Sequence, residues 1–196
     1  MQGGAAYLVA SRTISGVTDQ RIMTVKRDAD GGWRYAGNSA CYGEESPQDL
    51  GNRHLDEGEP APTYSSNPPT SGPHDSTPSQ TGTIFKTPQP SEQLVHSMEH
   101  GAVIFWTNLQ EPLAKTAEDA VLDVYDQGYE SLIITPKSDM DVPLAITAWG
   151  SLQKCVGVDA TEIQRFVDAH YAQGLEGFMA CFNDKATSLP GCEKAL

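Results

Sequence analysis

The chain has 196 residues and a mass of 21.1 kDa, which favours one domain that can bury its own core. Acidic residues outnumber basic ones by 26 to 13, giving a formal net charge of −13. Such a surface repels phosphate backbones, so the composition argues against nucleic acid as a partner. No apolar run approaches the ~20 residues of a membrane helix. The first ten residues lack the features of a secretory signal peptide, although a leader or anchor already removed would leave no trace.

The N-terminal region is predicted to form strands. Arg21–Arg27 and Trp33–Ala36 alternate apolar and polar residues, and residues 28–32 between them hold the glycines and aspartates of a hairpin loop. Ala6–Ala10 is a further predicted strand. We expect this hairpin to join the same sheet as the apolar run Ala102–Trp106, within one domain.

A proline-rich stretch follows, because residues 60–92 hold 8 of the 13 prolines. Proline removes backbone donors and disfavours helix in the residue before it, so this stretch is predicted to be irregular. Its composition fits a linker. Its large residues are unlikely in a solvated linker and instead predict a long ordered loop; they are Tyr64, His74, Ile84 and Phe85.

The rest of the chain shows helical and strand periodicities. A helix is predicted over residues 91–100, capped by Ser91 and ended by Gly101. The other predicted elements are a helix over Pro112–Gln127, strands over Leu132–Thr135 and Leu144–Trp149, and a helix over Thr161–Ala172. Together they predict a single α+β domain over residues 1–196, with a mixed or antiparallel sheet and two to three helices. Residues 1–50 form its hairpin region and residues 173–196 its C-terminal loop segment.

The four cysteines are Cys41, Cys155, Cys181 and Cys192, and no two of them form a CxxC motif. Three pairings are open to four cysteines. Cys181 and Cys192 bracket a short polar loop that a local disulfide would close, which would leave Cys41 and Cys155 to pair across the fold. The alternative is four reduced thiols in a cytosolic protein.

Five histidines carry the strongest chemical signal: His54, His74, His96, His100 and His170. His96 and His100 are four residues apart, the spacing by which one helical face offers two nitrogens to one metal ion. The segment is HSMEH rather than HExxH, so the zincin mechanism is not supported. His74 ends the run PPTSGPH, whose prolines restrict the backbone around it.

Three segments resemble the signature motifs of the DUF3105 family, a group of mostly bacterial proteins that often carry a leader or membrane anchor. They are PPTSGPH at 68–74, LVHSMEHGAV at 94–103 and AITAWG at 145–150. The family's histidine before a Gly-Glu turn is matched by His54 with Gly58 and Glu59, and Met98 stands where leucine is usual. The resemblance covers roughly residues 54–172, the core of the predicted domain. It implies a histidine-rich site and export, and with the cysteine usage it suggests a Cys181–Cys192 disulfide.

With the resemblance, four histidines become one predicted metal site, made of His54, His74, His96 and His100. His170 fits the apolar face of its helix and is interpreted as structural. Imidazole ligands suit copper or zinc better than magnesium or calcium.

Three further residues are candidates for a role at the metal site. The thioether of Met98 would favour copper, although a regular helix turns Met98 away from His96 and into the core. Glu99 is a candidate ligand, orienting residue or general base, and Tyr64 is a candidate for an oxidative site.

Two functions from different classes follow. The first is an extracytoplasmic copper- or zinc-binding protein. The second is a metal-dependent enzyme, oxidative with copper or hydrolytic with zinc, that uses the same histidines with an open coordination position. A third interpretation is a structural domain that binds a partner through Trp106 or Trp149. The sequence points to no particular small-molecule substrate.

Overall fold

The computed structural model describes residues 5–14, 17–27, 33–109 and 113–176. These residues form strands β1 (Ala5–Ile14), β2 (Val17–Arg27), β3 (Trp33–Ser39), β4 (Thr83–Ile84), β5 (Val103–Thr107), β6 (Leu132–Pro136), β7 (Leu144–Ala148) and β8 (Ser151–Cys155). The helices are α1 (Ser91–Glu99), α2 (Leu113–Tyr125) and α3 (Ala160–His170). The described residues make one α+β domain, as predicted. They include no helix long and apolar enough to cross a membrane.

The strands form two sheets. One is the antiparallel sheet β1-β2-β3, and the other is a mixed sheet in the order β4-β6-β5-β7-β8. In the mixed sheet β6 runs parallel to β4 and β5, whereas β7 is antiparallel to β5 and β8.

The prediction that the N-terminal hairpin joins the sheet of residues 102–106 is therefore wrong. Residues 40–45 pair with β8 instead, through Tyr42 N–H to the Lys154 carbonyl at 2.9 Å and Glu45 N–H to the Leu152 carbonyl at 2.8 Å. This segment uses the free hydrogen-bonding edge of β8, so the hairpin cannot pair there.

Cys41 and Cys155 lie opposite each other in this pairing and form a disulfide with an S–S distance of 2.08 Å. The cross-fold pairing considered from the sequence is thus present. The predicted Cys181–Cys192 pair lies outside the described residues.

The mixed sheet is covered on both faces, which explains why its central strands are apolar on both sides. Alternate β5 residues belong to two separate cores: Val103 and Phe105 to one, Ile104 and Trp106 to the other. The apolar faces of α2 and α3 pack in the first core, and α1 packs in the second through Leu94, Val95 and Met98. The helix α1 is therefore held rigidly against β5, and this fixes the side chains on its other faces.

The helix boundaries differ from prediction by a few residues. Ser91 is the first residue of α1 rather than its cap, because Pro90 occupies the cap position and no side chain caps the helix. Gly101 ends α1 with a φ of +86°, a conformation that favours glycine. The helix α3 begins one residue before the predicted Thr161, because Asp159 caps it by accepting from two backbone N–H groups. Residues 110–112, which include the predicted start of the second helix, lie outside the described part of the chain.

Candidate metal centre

Three segments of the chain meet in one cluster of histidines and a glutamate. The segment around His54 pairs with the end of the PPTSGPH loop, because Leu55 N–H donates to the His74 carbonyl at 2.7 Å and His74 N–H donates to the Arg53 carbonyl at 3.0 Å. This parallel bridge sets His54 beside His74. The helix α1 supplies His96 from the third segment.

The loop that carries His74 is fixed by close packing at Gly72. Gly72 has a φ of +127°, and a Cβ there would lie 3.1 Å from the ring of Tyr64 and 3.3 Å from Leu50. The Tyr64 hydroxyl donates to the Pro73 carbonyl at 3.0 Å, and burial raises the pKa of Tyr64 well above its usual value. Tyr64 therefore packs against the loop that carries His74. Its described contacts are with the loop backbone rather than with a metal ligand.

Three imidazole rings form a nearly equilateral triangle. Their centroids are 5.0 Å apart for His54 and His74, 5.1 Å for His54 and His96, and 5.0 Å for His74 and His96. His74 is fully buried and His96 is 5% exposed, whereas His54 is exposed. The triangle therefore has two inner rings and one ring that faces solvent.

The hydrogen bonds of the inner rings fix which nitrogen carries the proton. His74 Nδ1 lies 2.9 Å from the Gly72 carbonyl, and His96 Nδ1 lies 2.7 Å from the Asp75 carbonyl. A carbonyl can only accept, so each Nδ1 must donate, and each neutral ring keeps its lone pair on Nε2. This is the arrangement by which proteins orient histidines that bind metals.

Glu99 completes the cluster, and its carboxylate is fully buried. Its Oε1 accepts from Asn52 Nδ2 at 2.8 Å, and its Oε2 lies 3.1 Å from His74 Nε2. Neither of these two facing atoms makes a hydrogen bond within the described residues. Two buried acceptors that face each other are unfavourable unless a proton or a cation lies between them.

The group fits a metal ion in its donor chemistry and its size. One donor atom from each of His54, His74, His96 and Glu99 lies within 4.8 Å of all the others. Donors of a tetrahedral zinc ion with bonds of about 2.0–2.1 Å stand about 3.3 Å apart, so the widest pair of donors must approach by up to about 1.5 Å for all four to bind one ion. The described residues can thus hold a metal ion.

His100, predicted as a ligand, lies just outside this group of four. Its Nε2 is 2.9 Å from His96 Nε2, and the two rings stack with centroids 4.8 Å apart. The pKa of His96 is lowered, mainly by burial and also by the neighbouring histidines, against the opposing effect of its bond to Asp75. A lowered pKa keeps His96 neutral and able to bind a metal at physiological pH.

The remaining predicted residues lie away from the donors. Met98 is fully buried in the apolar core beside β5, which agrees with the packing role considered for it. His170 lies 2.8 Å from a Glu44 carboxylate oxygen, and its ring is tilted by 43° against that of Phe166 with centroids 4.5 Å apart.

Two neighbours of the centre were not predicted from the sequence. Asn52 gave no signal, since a lone amide in a loop has no characteristic pattern. Trp149 stands edge-on to His74 with centroids 6.2 Å apart, whereas the sequence suggested only partner binding for it.

Comparison with known proteins places the chain in one family. No curated protein and no solved structure matches it significantly. A family model described as "Protein of unknown function (DUF3105)" matches residues 54–181, more than half of the chain and the whole of the histidine and glutamate cluster. The chain therefore belongs to the DUF3105 family, as its motifs indicated.

Proposed function

We propose that this protein binds one divalent transition-metal ion outside the cytoplasm, through His54, His74, His96 and Glu99. The observation that carries the proposal is the approach of His74 Nε2 to Glu99 Oε2 at 3.1 Å, fully buried and without a hydrogen bond among the described residues. A bound cation between these two acceptors would remove their repulsion, and two more imidazoles stand within reach of the same ion.

Three nitrogen donors and one carboxylate favour copper(II) or zinc(II), since calcium and magnesium prefer oxygen donors. Copper(II) binds more tightly than zinc(II) at nitrogen and oxygen sites in general, so we propose copper as the preferred ion. The Met98 thioether does not contribute to this choice, because Met98 packs in the core.

The buried Cys41–Cys155 disulfide supports the proposed compartment. Disulfides persist in oxidising environments such as the periplasm or the cell exterior, and they are rare in the cytosol.

A second candidate function, a metal-dependent enzyme, is favoured by the exposure of the His54 side. A cleft of about 560 Å³ lies next to it, lined by residues that include Leu55, Asp56, Asp75 and Glu92. A substrate in this cleft would reach the metal past His54. The acidic lining would favour a cationic substrate.

The test is a metal titration of tag-free protein with Cu(II) and Zn(II), combined with elemental analysis. We expect one ion per chain, and strong loss of affinity in His74→Ala and His96→Ala. His170→Ala is the matched control, because it removes an imidazole outside the cluster. Unchanged affinity in both His74→Ala and His96→Ala would refute the proposed centre.

A further inference from the structure

A second pair of histidine and carboxylate side chains lies next to the centre and is partly exposed. His100 Nδ1 is 3.8 Å from Glu176 Oε2, and the side chains are 27% and 51% exposed. His100 Nε2 points the other way, to His96 Nε2 at 2.9 Å. His100 therefore joins an exposed carboxylate to a ligand of the centre.

The protonation of His100 follows from its neighbour. His96 donates its Nδ1 hydrogen to the Asp75 carbonyl and presents a lone pair at Nε2, so His100 must donate from its own Nε2. In a neutral His100 ring, Nδ1 then carries the lone pair. This atom is buried, makes no hydrogen bond within the described residues, and faces a carboxylate that also only accepts.

A metal ion fits between these two acceptors. Their separation of 3.8 Å is shorter than two metal–donor bonds of about 2.0–2.1 Å each, so one ion can contact both atoms. Two protein donors at an exposed position hold an ion weakly and leave water on its other sides, which permits rapid exchange.

The chain segment that supplies Glu176 is fixed against the end of α1. Ala172 N–H donates to the Gly101 carbonyl at 3.0 Å, and Glu176 N–H donates to the Glu99 carbonyl at 3.2 Å. Gly174 lies so close that a Cβ there would stand 2.0 Å from the Glu99 carbonyl oxygen. The position of the Glu176 carboxylate beside His100 is thus set by main-chain contacts with the helix that carries the centre.

We infer that His100 and Glu176 form an uptake station, which captures the metal ion from solvent beside the centre. Transfer to the centre replaces the hydrogen bond from His100 Nε2 to His96 Nε2 with a bond from His96 Nε2 to the metal ion. The inference rests on the proposed function. It assigns His100 a kinetic role: the pair governs how fast the ion enters and leaves, and the four donors of the centre govern how tightly it is held.

The experiment measures both rates with Cu(II) as the probe. Cu(II) quenches nearby indoles, and Trp149 next to His74 gives a stopped-flow signal for arrival at the centre. Release is followed by adding an excess of EDTA to the loaded protein. The variants are His100→Ala and Glu176→Gln. Asp123→Asn is the matched control, because it removes one exposed negative charge from α2, which packs on the opposite face of the sheet from α1. Glu57→Gln tests the alternative route, through the cleft on the His54 side.

We expect uptake and release to slow together by about tenfold in both variants, the lower end of electrostatic effects on association, with Kd unchanged. The control should keep the parental rates. Faster release with unchanged uptake in His100→Ala would make His100 a permanent ligand and overturn the inference. Slower uptake in Glu57→Gln alone would also overturn it, by placing the route at His54. A parent that binds no Cu(II) refutes the proposed function itself, whereas parental rates in both variants refute only the uptake station.

Discussion

The substitution Glu99→Gln separates the stability of the protein from its metal binding. In the metal-free protein a neutral His74 donates from Nδ1 to the Gly72 carbonyl, so His74 Nε2 and Glu99 Oε2 are two facing acceptors. A glutamine of the same shape can keep the bond from Asn52 and donate its amide hydrogen to His74 Nε2. The variant therefore gains a hydrogen bond and loses a buried charge.

The expected gain is about 1–3 kcal/mol in the free energy of unfolding, the cost of leaving a buried polar group unsatisfied. For a domain of this size it corresponds to roughly 2–4 °C in Tm per kcal/mol. Conversely, a bound metal at 100 times its Kd adds about 2.7 kcal/mol to the parent. We expect Glu99→Gln to lose most of this addition, since a neutral amide is a poor metal ligand.

Differential scanning calorimetry with EDTA, and then with Zn(II) or Cu(II), measures both effects in the same samples. The expected pattern is a higher Tm than the parent without metal and a smaller metal-induced rise. A metal-free variant less stable than the parent would show that the carboxylate is already satisfied. A metal-induced rise equal to that of the parent would exclude Glu99 as a ligand.

Four further predictions concern the scaffold and the protons. The Cys41–Cys155 disulfide closes a separation of 114 residues, so the double variant to serine should lose about 2–5 kcal/mol in urea unfolding, and a loss near zero would contradict the loop-entropy argument. Gly72→Ala should displace Tyr64 and the His74 loop and lower metal affinity in a Zn(II) titration, whereas Gly58→Ala, at another positive φ but with open space around it, should leave affinity intact. Burial lowers the pKa of His96, so the unfolded chain takes up a proton before the folded one, and the metal-free protein should lose stability below about pH 6.5 in calorimetry. Mass spectrometry of the non-reduced protein should show a linked Cys181–Cys192 peptide pair, and free alkylation of both thiols would refute that pairing.

The parts of the centre that lie on one helix could be predicted from the sequence. The spacing of His96 and His100 is local, and Glu99, three residues after His96, shares its helical face by the same periodicity. What the sequence could not supply was the partner of Glu99. Asn52 reaches it across 47 positions of chain, through a loop whose course depends on Gly72 and the bridge between His54 and His74.

Dependence on contacts between distant residues also explains why the predicted pairing of the N-terminal hairpin with the sheet of residues 102–106 was wrong. Alternation in β2 and β3 correctly predicted strands, but local alternation does not say which edge a strand will join. The choice was decided by residues 40–45, which have no strand pattern and yet occupy the edge of β8 beside Cys155. Short pairings of this kind depend on tertiary contacts and have little local signal.

The positions of the four donors indicate which parts of the fold a bound metal ion would stabilise. Only His96 and Glu99 are on an element packed in the core, whereas His54 and His74 are on irregular segments that hydrogen-bond mainly to each other. An ion bound to all four would tie these segments to α1, in addition to the 2.7 Å contact between His96 and Asp75. Binding should therefore stabilise the two loops more than the sheet. Amide hydrogen exchange should accordingly slow at Leu55 and His74 on loading, with little change in β5. Equal slowing throughout the chain would mean that the ion stabilises the domain only globally.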